Sequence, residues 1–227
     1  MRNANKDAIQ KTKVAIIGAG FGGLAMAIRL LQSQINDFVI LEKTNDVGGT
    51  WRENQYPGAA CDVQSHMYSL SFAPKTDWSK RYAEADEIFT YIQDITEQYK
   101  LKDYCKFNHE VTHAQFDENR NVWTVEFKDQ PTLEAQFVIF ASGPLHVPQI
   151  PHIKGIEKFK GKVFHSSKWE HDYDLNGKSV ASIGTGGSAI QYIPEIAPEV
   201  KQLYVFQRTA AWVIPRDERK YSQLSKT

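Results

Sequence analysis

The sequence predicts an α/β protein, because a pattern of strand, glycine loop, helix and strand occurs in it twice. In the first copy, an apolar strand at residues 13–17 is followed by an apolar helix at 24–31 and a second apolar strand at 38–41. The loop after the first strand carries glycines at the spacing G-x-G-x-x-G, namely Gly18, Gly20 and Gly23. This order of elements is typical of a dinucleotide-binding βαβ unit.

The second copy repeats this order towards the other end of the sequence. An apolar strand at 180–183 precedes Gly184, Gly186 and Ala189, and the pattern allows alanine at its third position. Pro194 lies within the helix that should follow, so we expect that helix to be kinked or to end early. Together the copies predict two Rossmann-like dinucleotide-binding units, the second of them incomplete.

The glycine pattern has a physical basis in the binding of a pyrophosphate. The first glycine allows a tight turn, the second lets the backbone approach the pyrophosphate, and the third allows close packing of helix on strand. The pyrophosphate then accepts hydrogen bonds from backbone amides at the positive end of the helix.

A charged residue follows the second strand of each copy, and the two charges are opposite. Glu42 and Arg208 lie at the same distance beyond Gly18 and Gly184, respectively. A carboxylate here accepts hydrogen bonds from ribose hydroxyls and repels a 2′-phosphate, whereas an arginine attracts a 2′-phosphate. We therefore expect FAD in the first copy and NADPH in the second, with hydride transfer from nicotinamide to flavin. The alternative for Arg208 is a plain surface cation.

The region between the copies supplies further elements and a boundary. Its patterns predict an amphipathic helix at 86–101, a strand at 122–127 and a strand at 137–141. Three prolines punctuate residues 143–155, which is typical of an extended linker. We therefore expect an FAD-binding domain portion at 1–145, and the linker and the start of an NADPH-binding domain at 146–227.

Composition excludes several classes of function. The 227 residues include 27 Lys and Arg and 27 Asp and Glu, so nothing suggests a nucleic-acid partner. Cys61 and Cys105 form neither a disulfide framework nor a metal-ligand pattern, and a cytoplasmic location is expected.

Residues 14–31 could be interpreted as a membrane span. Their glycines cluster where a strand-to-helix turn belongs, which favours a buried unit.

Only a short segment follows Arg208 in the sequence. A doubly wound NADPH domain needs further βα units after its ribose-binding strand. We therefore expect the chain to be the front portion of a longer enzyme, with a complete minimal protein as the alternative.

Several further motifs resemble those of one enzyme family. Residues 159–169 match the fingerprint F-x-G-x-x-x-H-x-x-x-W, with Glu170 where Pro or Asp usually follows. Similar matches occur at 48–51, 56–62 and 206–209. The chain resembles the class B flavoprotein monooxygenases, and within them the Baeyer–Villiger monooxygenases of the cyclohexanone and 4-hydroxyacetophenone type.

The resemblance implies roles for individual residues. Glu42 would bind the FAD ribose, and the backbone of Val111 would meet the adenine end. The residues implied to line the flavin are Thr50, Trp51, Asp62 and Tyr68. Those implied to hold the NADPH pyrophosphate and 2′-phosphate are Gly184, Thr185, Gly186, Ser188, Ala189, Gln191, Arg208 and Thr209. Many family members have arginine where Ala60 stands, and the family's catalytic arginine has no counterpart in this sequence.

Three residues are candidates for a direct part in the reaction, namely Asp62, His165 and Trp169. His165 could exchange protons near neutral pH, but the resemblance implies that it links the motions of the two domains. Trp169 could be a core aromatic residue, and the intact fingerprint favours the same linking role. Asp62 could be a solvated turn residue, and its place after Tyr56 and Pro57 favours a site beside the flavin.

The resemblance implies an FAD- and NADPH-dependent monooxygenase. Such an enzyme inserts one oxygen atom from O2 beside the carbonyl of a small ketone, through a peroxyflavin. Oxygenation of nitrogen or sulfur by the same cofactors is the first alternative. The second is a nucleotide-binding fragment that is inactive by itself.

Overall fold

Both βαβ units predicted from the sequence are present in the computed structural model, which describes residues 9–210, 212 and 214–222. The strands in this part of the chain are β1 (Gln10–Ile17), β2 (Phe38–Leu41), β3 (Cys105–Lys106), β4 (Val111–Asp117), β5 (Val122–Phe127), β6 (Leu133–Phe140), β7 (Ser179–Ile183) and β8 (Gln202–Phe206). The α-helices are α1 (Phe21–Gln32), α2 (Thr50–Glu53), α3 (Ala85–Gln98) and α4 (Ala189–Ile196).

The chain divides into two compact units. The first comprises Met1–Thr50 and Thr90–His146, and the second comprises Trp51–Phe89 and Val147–Thr227. One division falls beside the sequence boundary at 145/146, and residues 51–89 group with the second unit. The assignment of 1–145 to FAD and of 146–227 to NADPH stays a prediction.

The first unit is built on a mixed sheet with the strand order β3-β2-β1-β6-β5-β4. β1 pairs in parallel with β2 and with β6, whereas β4, β5 and β6 pair antiparallel. The predicted βαβ unit, in which α1 connects β1 to β2, lies within the parallel part, which also includes β3 and β6. Within the antiparallel part, β5 and β6 carry strands predicted from the sequence, whereas β4 was not predicted. In β4 every third residue is half-buried and the others are exposed, so it shows neither an apolar run nor the alternation typical of a strand.

Burial explains why β1 lies at the centre of this sheet. Val14, Ala15 and Ile16 are all buried, so both faces of the strand are covered. The sequence of a parallel strand that is covered on both faces is a continuous run of apolar residues. On α1, Leu24, Ala27 and Ile28 are buried at helical spacing.

The predicted helix at 86–101 is shorter than expected at its C-terminal end. α3 ends at Gln98, and a 3-10 helix follows at Leu101–Tyr104. Lys100 between them is left-handed, with φ 52°. The α-helical hydrogen-bond pattern therefore stops before Leu101, although Leu101 remains fully buried.

The second unit contains a smaller parallel pair, β7 with β8. α4 follows β7 and runs from Ala189 to Ile196 with Pro194 inside it, so the helix does not stop at the proline; the expected kink stays a prediction. No helix in the described residues has both the length and the apolar character needed to cross a membrane.

Both cysteines are packed as thiols. Cys61 is 2% exposed, and its sulfur accepts a hydrogen bond from the Val63 backbone N–H at 3.3 Å. The Cys105 thiol donates to the Leu101 carbonyl at 3.3 Å. Burial raises the pKa of the Cys61 thiol, and it raises the pKa of Cys105 to about 12.

A substitution at the third glycine should destabilise the first unit. A Cβ at Gly23 would lie 1.9 Å from the Gly18 carbonyl oxygen, so the backbone must move. We expect Gly23→Ala to cost about 1–3 kcal/mol and to lower Tm by several degrees in thermal unfolding of the full-length protein. Gly22→Ala is the matched control, because its Cβ would meet only the Ala141 Cβ at 3.8 Å. Equal Tm values for the two variants would contradict this packing.

The thiols should be inert in the folded protein. A raised pKa keeps both thiols protonated at neutral pH, and the thiolate is the reactive form. We expect iodoacetamide at about pH 8 to modify neither cysteine in the native protein and both in urea, as measured by peptide mass mapping. Rapid modification of native Cys61 would show that it is not buried as described.

Candidate functional site

The first glycine loop is closed so tightly that side chains are excluded from it. Gly18 has φ +106°, and a Cβ there would lie 2.6 Å from the Ala141 carbonyl oxygen. The backbones of Gly20 and Gly49 also meet, since a Cβ on Gly49 would lie 3.0 Å from the Gly20 Cα. Gly20 is the N-cap of α1 and provides no side-chain cap. The N-terminal turn of α1 therefore begins directly at the loop, which is the geometry that a pyrophosphate requires.

Glu42 is buried directly after β2 and is held by this loop. Its Oε2 accepts from the Ala19 backbone N–H at 2.9 Å. Its Oε1 accepts from the Thr44 N–H at 2.9 Å and from the Thr44 hydroxyl at 2.8 Å. Two carboxylate oxygens offer about four acceptor positions, so capacity remains for a ribose hydroxyl.

Backbone hydrogen bonds connect Glu42 to the segment that precedes Val111. The Glu42 N–H donates to the Lys106 carbonyl at 3.0 Å, and the His109 N–H donates to the Glu42 carbonyl at 2.9 Å. Val111 begins β4 two residues after His109. The structure therefore brings the predicted ribose-binding and adenine-end segments together within the first unit.

The residues predicted to line the flavin fall on either side of the division between the units. Thr50 begins α2 and is the last residue of the first segment of the first unit, whereas Trp51, Asp62 and Tyr68 belong to the second unit. The Trp51 indole N–H donates to the Tyr68 hydroxyl at 3.1 Å, and their rings meet edge to face at 5.5 Å. Burial raises the pKa of Tyr68. Asp62 is exposed in a bend after Cys61.

The second glycine loop is open where the first is closed. Gly184 has φ +101°, and its N–H donates to the Phe206 carbonyl at 2.8 Å. A Cβ on Gly184 or Gly186 would have no described heavy atom within 4 Å. Ser188 is the N-cap of α4, and Ala189 is its first residue and is buried.

The residues predicted to bind the 2′-phosphate lie beside this loop. Arg208 and Thr209 follow the end of β8 and are exposed. The neighbouring Gln207 carboxamide donates to the Thr185 hydroxyl at 2.9 Å, which joins the end of β8 to the glycine loop. Among the residues that the structure describes, Arg208 forms no ion pair.

His165 is engaged in local structure. It is the N-cap of the 3-10 helix Ser166–Lys168, and its Nδ1 accepts from the Ser167 backbone N–H at 3.1 Å. The capping bond gives His165 a local structural role, and its part in the reaction stays a prediction.

Trp169 lies in a row of aromatic rings within the second unit. Its ring is 5.2 Å from Phe164 and 5.3 Å from Tyr192, and Tyr192 is 6.2 Å from Tyr56. Edge-to-face and tilted contacts at these distances are favourable. The row joins the fingerprint segment to α4 and to the segment that precedes Asp62.

The sequence analysis did not single out Tyr192, and it included Tyr56 and Gln207 only as members of the motifs 56–62 and 206–209. The Tyr192 hydroxyl lies 2.7 Å from the Ser182 hydroxyl, and Ser182 is buried on β7. A polar residue inside an apolar strand needs a partner, so Ser182 was the available signal. Nucleotide contacts of the predicted site residues stay predictions.

A family model described as pyridine nucleotide-disulphide oxidoreductase matches residues 15–225. A relative from Streptomyces coelicolor named Baeyer-Villiger monooxygenase is 48% identical over 213 residues, which cover 94% of this chain and 41% of the relative. Two solved structures are also similar. A closed crystal structure of cyclohexanone monooxygenase has a TM-score of 0.90 and 32% identity, and it aligns with 96% of this chain and 42% of its own.

The second structure is OTEMO in complex with FAD and NADP, with a TM-score of 0.89 and 35% identity. It aligns with 95% of this chain and 42% of its own chain. The chain thus spans about two fifths of the length of these relatives. It belongs to the pyridine nucleotide-disulphide oxidoreductase family, and its predicted resemblance to Baeyer–Villiger monooxygenases is confirmed.

Proposed function

We propose that the full-length protein binds FAD in the first unit and NADPH in the second. The observation that carries this proposal is the pair of glycine loops followed by opposite charges, Glu42 and Arg208. Relatives named as monooxygenases, and a similar structure in complex with FAD and NADP, support it.

The first unit fits FAD by shape and by chemistry. Its loop has no room for a Cβ at Gly18 or Gly23, as expected where a pyrophosphate packs on backbone. The Glu42 carboxylate is fixed by Ala19 and Thr44 and keeps acceptor capacity for ribose. The first-turn amides of α1 would hold the pyrophosphate.

The second unit fits NADPH. Gly184 and Gly186 leave open space above the start of α4, and the exposed guanidinium of Arg208 follows β8. A guanidinium binds phosphate oxygens with paired, charge-assisted hydrogen bonds. NADPH differs from NADH by one phosphate at this position, so Arg208 would set the preference.

The reaction that these sites support is monooxygenation of a small ketone. When bound, FAD would supply the redox chemistry with O2 that no side chain provides. The residues of this chain would bind and orient the nucleotides and limit the access of water. The names of the relatives favour insertion of oxygen beside a carbonyl over oxygenation of nitrogen or sulfur.

The cysteines argue against disulfide reduction as the activity. Cys61 and Cys105 lack the spacing of a redox pair, and burial raises the pKa of both. The two free thiols also support a reducing, cytoplasmic location.

The decisive experiment is product analysis with the full-length protein, FAD, NADPH and O2. A ketone and a sulfide should be offered separately. Ester or lactone formed in proportion to NADPH consumed would support the proposal. Sulfoxide without ester would favour the heteroatom alternative, and no nucleotide oxidation at all would contradict a monooxygenase.

Glu42→Gln should weaken the retention of FAD. A hydrogen bond to a charged acceptor contributes about 1.5–3 kcal/mol and a neutral one about 0.5–1.5 kcal/mol, so roughly a tenfold rise in Kd is expected. Flavin absorbance after purification and titration with FAD would measure it. Glu118→Gln removes the same charge from an exposed position in the first unit and should bind FAD normally. Full retention in Glu42→Gln would show that this carboxylate does not bind the ribose.

Arg208→Ala should reduce the preference for NADPH over NADH. Loss of a charge-assisted contact costs about 1.5–3 kcal/mol, which lowers kcat/KM for NADPH roughly tenfold to a hundredfold and leaves NADH unaffected. Steady-state kinetics with both cofactors would measure the change. Lys201→Ala removes an exposed cation just before β8 and should keep the wild-type preference. An unchanged preference in Arg208→Ala would exclude the arginine as the determinant.

A further inference from the structure

The backbone of Ala60 has two neighbours of different kinds. On one side the segment 59–61 pairs antiparallel with 83–85: the Ala85 N–H donates to the Ala59 carbonyl at 2.8 Å, and the Cys61 N–H donates to the Ala83 carbonyl at 2.9 Å. Alternate residues of an extended chain point their polar groups to opposite sides. The N–H and C=O of Ala60 therefore face away from that pairing.

One side chain satisfies both of these groups. The Ala60 N–H donates to Gln191 Oε1 at 3.3 Å, and Gln191 Nε2 donates to the Ala60 carbonyl at 2.8 Å. A carboxamide offers the same acceptor and donor as a peptide group. The Gln191 side chain thus satisfies the backbone N–H and C=O of Ala60 in the way that the backbone of a neighbouring strand would.

Two further contacts hold the same segment against α4. The Tyr56 hydroxyl donates to Gln191 Oε1 at 2.9 Å. Gly58 has φ +72°, and a Cβ there would lie 2.9 Å from the Gln191 carbonyl oxygen and 2.7 Å from Glu195 Cγ. The segment therefore packs on α4 at backbone distance, and only glycine fits at position 58.

We propose that Gln191 is a positioning residue that fixes the segment 56–62 on α4. The N-terminus of α4 is the proposed site of the NADPH pyrophosphate, and Asp62 is predicted to lie beside the flavin. The resemblance implies that Gln191 holds the NADPH pyrophosphate. Because its carboxamide bonds to Tyr56 and Ala60, we infer instead that it acts through this segment. By fixing this segment, Gln191 would hold Asp62 at a constant position relative to NADPH bound at α4. This role rests on the proposed function.

Gln191→Leu should loosen Ala60 and slow hydride transfer in the full-length holoenzyme. Hydrogen–deuterium exchange resolved to single amides should accelerate roughly tenfold or more at Ala60 and stay unchanged at Cys61, whose N–H bonds to Ala83. Flavin reduction by saturating NADPH, followed by stopped flow, should slow roughly tenfold, while the Kd for NADP⁺ stays at the wild-type value. Gln202→Leu, at an exposed position on β8, is the control and should match the wild type.

Gln191→Glu provides a pH readout that a merely structural role would not produce. A neutral carboxylic acid can accept from the Ala60 N–H and donate to its carbonyl, whereas a carboxylate cannot donate. Relative to the wild type at each pH, flavin reduction in this variant should rise as the pH falls from about 7 to about 4.5, towards the ordinary glutamic acid pKa of about 4.3. This rescue also keeps the proposal testable if Gln191→Leu fails to fold.

Two results would overturn the role of Gln191. One is normal flavin reduction in Gln191→Leu despite faster exchange at Ala60. The other is a raised Kd for NADP⁺ as the sole effect, which would make Gln191 a nucleotide contact. If wild-type FAD is not reduced by NADPH, the proposed function itself fails, and the exchange at Ala60 still reports whether Gln191 holds this segment.

Discussion

The first unit depends on one close approach, that of Gly23 to the carbonyl of Gly18. Because a Cβ at Gly23 would lie 1.9 Å from this oxygen, α1 begins directly over the end of β1. The loop between them is short enough for the Ala19 N–H to reach Glu42 at 2.9 Å. These contacts couple the start of α1 to the glycine loop and to the Glu42 carboxylate. A shift in any one of the three would therefore move the other two.

The second unit reaches a similar local topology by other means. Its glycine loop has open space around Gly184 and Gly186, and side chains hold it in place. Gln207 bonds to Thr185, and Tyr192 bonds to Ser182. Single hydrogen bonds of this kind contribute about 0.5–1.5 kcal/mol each, so this loop can adjust at modest cost.

The segment 56–62 joins these features within the second unit. The aromatic row from Phe164 through Trp169 and Tyr192 reaches Tyr56, and the Gln191 carboxamide reaches Ala60. The fingerprint residues thus act on α4 by packing, which agrees with the local capping bond of His165. In the described residues the fingerprint is joined to α4 by contacts between side chains.

The sequence by itself determined the βαβ elements and the charges at their ends, because periodicity, glycine spacing and residue type are local. β2 at Phe38–Leu41 and β5 at Val122–Phe127 have the bounds that the patterns predict. Only the tertiary structure decided the strand order, since β1 pairs with β6 far along the chain, and β4 has no apolar run to mark it. It also decided the partner of Gln191, because the hydrogen bond to Ala60 joins residues 131 positions apart, and no local pattern specifies such a pair.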